Sequence, residues 1–308
     1  MKLVNRANRI TKYIAVALVA LLVGIAAANA LGQDKIKDKM SKIDTKGREF
    51  CSNNNWSSDN KVSASQLRES TLAASGTLTV DGRQNGGISV KGSDRSDILV
   101  RACVQAWGTS EEAAKALGEK VTINTSGTIR ADGPSENENG WNSNSWSVSY
   151  QILTPRNTNV NLTARNGGIT ITGIDGTAQF ETMNGGVFLS DDAGNFTGKT
   201  TNGGVFVRLA GPSWRGGGLD VTTTNGGVNV EMPENYSAHV ETGTVNGGFS
   251  SDIAGLQPQR DDNRDNNNWG YRPRRTKISA DLNGGGPPVR LVTTNGGVHI
   301  GTPGSEKE

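Results

Sequence analysis

The tripeptide Asn-Gly-Gly recurs along most of this chain and constrains its fold more than any other feature. The five central copies are spaced 18, 18, 23 and 21 residues apart. A period near 20 residues is typical of repeat architectures, in which each repeat adds one structural unit to its neighbour. The eight triplets begin at Asn85, Asn166, Asn184, Asn202, Asn225, Asn246, Asn283 and Asn295.

Apolar residues alternate with other residues on both sides of the triplets. Leu219 and Val221 precede Asn225, and Val228 and Val230 follow it. Such alternation indicates half-buried strands, because successive side chains of a strand point to opposite faces. Each repeat is therefore predicted to be a strand, an Asn-Gly-Gly turn, a second strand and a more variable turn.

The Asn-Gly-Gly turn allows two interpretations. Asn-Gly between alternating segments is typical of a β-hairpin, which would give an antiparallel meander or sandwich. The same residues can form the corner of a β-solenoid, where glycine supplies a positive φ and asparagine tolerates the left-handed region. The near-constant period favours an all-β solenoid with coils of 18–23 residues. Its corner asparagines would then stack at roughly 4.8 Å and form an amide ladder.

The N-terminus has the pattern of an export signal. A basic region between Lys2 and Lys12 precedes an apolar stretch at 13–27 and a small-x-small cleavage site at 28–30. If it is not cleaved, the same segment is long enough to anchor the chain in a membrane. Cleavage would remove four cations and change the net charge from +2 to −2. Nucleic acid is therefore not expected as a partner.

The remaining chain is predicted to have four parts. A polar tether at 31–70 precedes a β-solenoid domain at 71–302, which carries a polar insertion at 257–276, and a tail at 303–308 follows. One short helix is predicted near 110–117, with Thr109 and Glu112 as a capping box and Gly118 as its end.

The two cysteines, Cys51 and Cys103, are the only pair in the chain. In an exported protein they are expected to form a disulfide. Cys103 shares its strand face with Arg101 and Gln105, so its thiol is expected to face outward. Two unrelated thiols are the alternative.

No catalytic, metal or cofactor motif is evident in the sequence. His239 and His299 have no metal-ligand spacing, and the glycine-rich repeats lack the aspartate of calcium-binding nonapeptides. Neither a phosphate-binding loop nor a regular carboxylate pair is present. No cofactor, no metal and no catalytic residues are therefore predicted.

All six tryptophans lie outside the predicted Asn-Gly-Gly strands. They could cover the ends and sides of a thin solenoid, or they could form a contact surface for a glycan or a protein. Rigid aromatic side chains beside arginine are common anchors of such surfaces. The candidate ligand-contact residues are Trp214, Arg215, Trp269, Tyr271 and Arg272.

The export signal, the Asn-Gly-Gly-Val/Ile repeats and the Glu111-Glu-Ala-Ala segment together resemble a bacterial envelope family. That family is known as the "putative adhesin" or head GIN domain family, and the resemblance covers roughly Leu72 to Ile300. The resemblance implies a single-stranded right-handed β-helix and an exported location. It offers no catalytic motif to transfer.

These observations predict an exported adhesin-like or cell-envelope scaffold or binding protein without catalytic activity. Its expected partners are envelope glycans or other surface proteins, in the periplasm, at the cell surface or outside the cell. Two alternatives are a carbohydrate-active β-helix enzyme, a lyase or a hydrolase, and a regulatory envelope component that acts through its N-terminal tether.

Overall fold

The computed structural model describes residues 50–51, 61–74, 76–134, 145–256 and 276–304. The predicted signal peptide, most of the predicted tether and all but one residue of the predicted insertion lie outside these ranges, as do residues 305–308 of the tail. Residues 50–51 belong to an N-terminal unit that ends at residue 52. All elements described below belong to the second unit.

The described part of the second unit is all-β with one short helix, and its twenty strands form two ten-stranded mixed sheets. In spatial order, sheet A contains β1 (Val62–Ala73), β4 (Asp97–Gly108), β7 (Ser145–Pro155), β3 (Ile88–Ser93), β9 (Ile169–Thr172), β11 (Val187–Ser190), β13 (Val205–Arg208), β15 (Val228–Glu231), β20 (Val298–Gly301) and β17 (Phe249–Ser251). In spatial order, sheet B contains β18 (Thr276–Leu282), β16 (Ala238–Asn246), β19 (Pro288–Asn295), β14 (Gly218–Asn225), β12 (Asn195–Asn202), β10 (Thr177–Asn184), β8 (Asn159–Ala164), β2 (Thr77–Asp81), β6 (Thr128–Asp132) and β5 (Thr122–Asn124).

Each repeat unit adds one strand to each sheet. At seven of the eight triplets, the strand before the triplet belongs to sheet B and the strand after it belongs to sheet A. The triplet at Asn283 lies between β18 and β19, which both belong to sheet B. Neighbouring units pair in parallel and in register, so that Val187 lies between Ile169 and Val205. The alternating apolar side chains point inward from both sheets and form one hydrophobic cluster. Burial of this face is what makes the register specific, because a slip of one residue would expose it.

The strands do not form the predicted single-stranded right-handed β-helix. Both sheets are open and mixed, with antiparallel pairing of β1 with β4, β4 with β7, β5 with β6, and β16 with β18. In addition, β19 and β20 lie between two units that precede them in the sequence. The period of the repeats specifies the local unit, but it does not specify which unit pairs with which.

The N-terminal strand β1 begins inside the predicted tether, nine residues before the predicted start at Thr71. It pairs with β4 along its whole length and forms an edge of sheet A. Because it buries few side chains, its sequence lacks the alternation that identifies the other strands.

The single helix, α1 (Glu111–Lys120), confirms the predicted element but not its caps. Ser110, one residue after the predicted cap Thr109, accepts a hydrogen bond from the Ala113 N–H at 3.2 Å. Gly118 lies within the helix rather than at its end. Arg68 of β1 donates to the Gly118 carbonyl oxygen at 2.8 Å and so satisfies part of the last turn.

At the Asn202 corner, the first glycine is required by close backbone contact and not by a positive φ. None of Asn202, Gly203 and Gly204 has a positive φ, so the predicted left-handed corner is wrong here. A Cβ on Gly203 would lie only 2.1 Å from the carbonyl oxygen of Gly185 in the neighbouring unit. The parallel stacking of the units therefore excludes any side chain at this position.

Candidate functional site

Seven of the eight corner asparagines form one hydrogen-bonded ladder along an exposed edge. Each side-chain amide donates to the side-chain oxygen of the asparagine in the neighbouring unit, at 2.7–3.0 Å. In spatial order the ladder contains Asn85, Asn166, Asn184, Asn202, Asn225, Asn295 and Asn246. Asn283 lies elsewhere, has a φ of 49°, and donates to the carbonyl oxygens of Glu234 and Tyr236. The ladder is a structural element that links the units.

A second row of hydrogen bonds holds the same corners from the buried side. Thr200, two residues before its asparagine, donates to the carbonyl oxygen of Gly185 in the neighbouring unit at 2.7 Å. Equivalent bonds of 2.7–2.8 Å are made by Thr182, Thr223, Thr244 and Thr293. The sequence showed only that this position is small or threonine, because the acceptor belongs to another repeat.

Trp214, a predicted ligand-contact residue, is a core residue in the structure. Its side chain is 4% exposed, and its indole N–H donates to the Gly194 carbonyl oxygen at 2.9 Å. Its ring meets Phe196 edge-on at a centroid distance of 5.5 Å. The side chain is therefore not available to contact a ligand.

Of the other predicted contact residues, the structure describes only Arg215. Arg215 is exposed and pairs with Asp175 at 2.9 Å. An exposed ion pair of this kind contributes little to stability. Trp269, Tyr271 and Arg272 lie outside the described residues.

Cys51 and Cys103 are disulfide-bonded, as predicted. Along β4, Cys103 alternates with the core residues Ala102 and Val104 and so shares a face with Arg101 and Gln105, as predicted. It is 5% exposed. It lies opposite Leu67 of β1 on one side and Ser149 of β7 on the other.

A hollow of about 560 Å³ lies on the outer face of sheet B, where β14, β19, β16 and β18 are neighbours. We call it the sheet B hollow. Thr222, Val292, Gly243 and Lys277 follow one another across these four strands and line it. Gly243 contributes no side chain to these four lining residues, and a Cβ at its position would lie 2.3 Å from the Thr276 carbonyl oxygen. The hollow therefore depends on close packing of β18 against β16.

Charged side chains of alternating sign lie along one side of the hollow. Arg290 bonds Asp220 at 2.6 Å and lies 3.8 Å from Glu241, and His239 lies 3.5 Å from Glu241 and 2.6 Å from Asp281. We call these five residues the charged row. Asp220 and Glu241 are the nearest equivalent of a glycosidase carboxylate pair, but the Arg290 guanidinium lies between them. It occupies the space in which a glycosidase would hold the scissile bond.

Ser279, His239 and Asp281 have the order of a Ser-His-Asp relay, but the contact of the serine with His239 is long and shared with a second acid. Ser279 Oγ lies 3.4 Å from His239 Nε2, where Glu241 is a competing partner at 3.5 Å. The hydrogen bond with the Asp281 carboxylate raises the pKa of His239, and the charge of Glu241 acts in the same direction. The charged row therefore acts as an ion-pair network across the strands.

The sequence contained a signal for the charged row that the motif search missed. Asp220, Glu241 and Arg290 each lie five residues before the asparagine of their repeat. Alignment of the repeats on that asparagine places two acids and one base at the same outward position. Only the strand order shows that the base lies between the acids.

The described residues show neither a metal-binding group nor a membrane-spanning helix. No cluster of three or more His, Cys, Asp or Glu side chains among them could hold a metal ion. No helix among them is long and apolar enough to cross a membrane.

No protein-family model matches the chain, and no curated protein matches it significantly. Among solved structures, it is similar to a "putative cell adhesion protein" from Clostridium sporogenes, with a TM-score of 0.43, 10% identity and coverage of 78% of this chain and 100% of that one. The chain is also similar to a "putative adhesin" from Bacteroides fragilis, with a TM-score of 0.29, 9% identity and coverage of 77% of this chain and 97% of that one. A third similar structure is a "putative lipid binding protein" from Parabacteroides distasonis, with a TM-score of 0.31, 9% identity and coverage of 77% of this chain and 96% of that one. Two of these names coincide with the family that the sequence resembles, but TM-scores below 0.5 support no conclusion about this chain.

Proposed function

We propose that this protein is an exported, non-catalytic envelope binding protein of adhesin type. We further propose that the sheet B hollow holds a hydroxyl-rich ligand such as an envelope glycan. The observation that carries the proposal is the hollow itself, a concave surface on the outer face of sheet B that is lined by both apolar and polar groups. Binding sites are typically concave and combine apolar surface with a few placed polar groups.

The chemistry of the lining favours a saccharide. Val292 offers apolar surface for the C–H face of a sugar, while the hydroxyls of Thr222 and Thr224 can donate and accept hydrogen bonds. Arg290 and Lys277 add cationic groups that suit acidic sugars. A purely apolar ligand would displace water from the hydroxyls of Thr222 and Thr224 without replacing its hydrogen bonds, which lowers affinity.

The repeat scaffold suits a surface protein. The parallel, in-register pairing of the central units supports the proposal that they present a regular outer face. Export is supported by the N-terminal signal pattern and by the disulfide between Cys51 and Cys103, which is stable in oxidising compartments.

A glycan array probed with the exported chain tests the binding function. The Val292→Trp variant fills the hollow from an outward position of β19, and we expect it to lose at least tenfold in affinity for any glycan that the wild type binds. The matched control is Thr163→Trp, at an exposed outward position of β8 in the same sheet. Equal binding by both variants would place the ligand elsewhere, and absence of binding to any glycan would contradict the proposed function.

A further inference from the structure

The last repeat of the chain is inserted between two earlier repeats. Residues 288–301, here called the C-terminal repeat, provide β19 and β20. In sheet B, β19 pairs with β14 on one side and β16 on the other, and in sheet A, β20 pairs with β15 and β17. The repeats of Asn225 and Asn246, which are consecutive in sequence, are thus held apart by a segment that follows both. We call the gap between them the insertion site.

The outward charges favour the insertion over direct pairing of the flanking repeats. Asp220 of β14 and Glu241 of β16 both have Arg290 of β19 as their partner in the register. If β16 paired directly with β14 in the same corner register, Asp220 would lie opposite Glu241. Like charges on directly opposed residues destabilise strand pairing. With Arg290 between them, each acid has a cationic neighbour.

One glycine-rich loop connects the C-terminal repeat to the preceding strand. Gly284, Gly285 and Gly286 all have positive φ and are followed by one proline before β19, which itself begins with a proline. The loop passes over the start of β16, where a Cβ on Gly286 would lie 3.0 Å from the Ser237 carbonyl oxygen. A change of backbone angles in this short loop is enough to redirect β19 and β20 together.

We propose that the C-terminal repeat is exchangeable, and that the insertion site accepts the same repeat from a second copy of the chain. A molecule that releases its repeat cannot close the gap without opposing Asp220 and Glu241, so its insertion site stays open. The segment that complements both sheets and both acids is another C-terminal repeat. Reciprocal exchange reproduces every contact of the monomer and links two copies. This inference is independent of ligand binding in the sheet B hollow.

Charge reversal tests the exchange directly. Arg290→Glu places an acid in the repeat, and Asp220→Lys with Glu241→Lys places bases in the insertion site, so each variant chain opposes insertion of its own repeat. When the two are refolded together from urea, each repeat matches the insertion site of the other chain. Native mass spectrometry should show a 1:1 heterodimer at least tenfold more abundant than the homodimer of either variant alone. A mixture that equals the sum of the separate samples would overturn the proposal.

A single chain that carries all three reversals is the folding control, because its own charges match again. It should be as monomeric as the wild type. A second measurement keeps the native charges: Thr222→Cys and Val292→Cys, at directly paired positions of β14 and β19, are placed on separate chains. Co-refolding should produce a covalent dimer that is absent when Thr163→Cys, on β8, replaces Thr222→Cys. The absence of that dimer would equally refute exchange.

Discussion

Replacement of one ladder asparagine should destabilise the protein through two hydrogen bonds. Asn202 donates to Asn184 at 2.7 Å and accepts from Asn225 at 2.8 Å. Asn202→Ala removes both bonds, and because the amides are exposed, water partly replaces them. At about 0.5–1.5 kcal/mol for each bond, the expected loss is about 1–3 kcal/mol. No backbone penalty is added, since Asn202 does not have a positive φ.

A double-mutant cycle separates a connected ladder from independent turns. Asn184→Ala also removes two bonds, but the double variant removes three bonds in total, because one bond is shared. The coupling between the two positions should therefore equal one hydrogen bond, about 0.5–1.5 kcal/mol. The control cycle pairs Asn202 with Asn283, which lies outside the ladder and should be additive within about 0.3–0.5 kcal/mol.

Urea unfolding with the disulfide intact measures these free energies, with the fluorescence of the buried Trp214 as the signal. A coupling between Asn184 and Asn202 no larger than that of the control cycle would refute the connected ladder. Unchanged stability of Asn202→Ala would refute it as well.

Two further predictions concern the corners and the charged row. Gly203→Ala should destabilise the folded protein by about 3 kcal/mol, because its Cβ would meet the Gly185 carbonyl oxygen at 2.1 Å. The control Gly248→Ala, with no described atom within 4 Å, should change the stability by less than about 1 kcal/mol. Similar midpoints of urea unfolding for the two variants would contradict the close-contact explanation. His239 has a folded-state pKa above its ordinary 6.5, so its stabilising contribution should be complete below pH 6.5 and disappear as the pH rises through the folded-state value. An NMR titration should find the imidazole pKa above 6.5, and His239→Gln should remove this part of the pH dependence; a pKa at or below 6.5 would be inconsistent with the ion pairs.

The local repeat could be predicted from the sequence, because the signals that define it lie within about ten residues of each other. Alternation around Asn225 identified two half-buried strands, and the recurring asparagine identified the turn between them. The disulfide followed from the presence of a single cysteine pair in a chain with an export signal. These inferences use strand periodicity and simple chemistry, which operate before any distant contact forms.

Only the tertiary structure decided which repeats are neighbours and which side chains therefore meet on their outer faces. Arg290 lies between Asp220 and Glu241 because β19 inserts out of order, at sequence separations of 70 and 49 residues. The sheet B hollow has the same origin, since it spans four strands that are not consecutive. Trp214 was a candidate ligand-contact residue and is buried, because its partners come from another repeat. Parallel strands join through backbone hydrogen bonds that any repeat can make, so the order is chosen by side-chain charges and packing that exist only once the units have stacked.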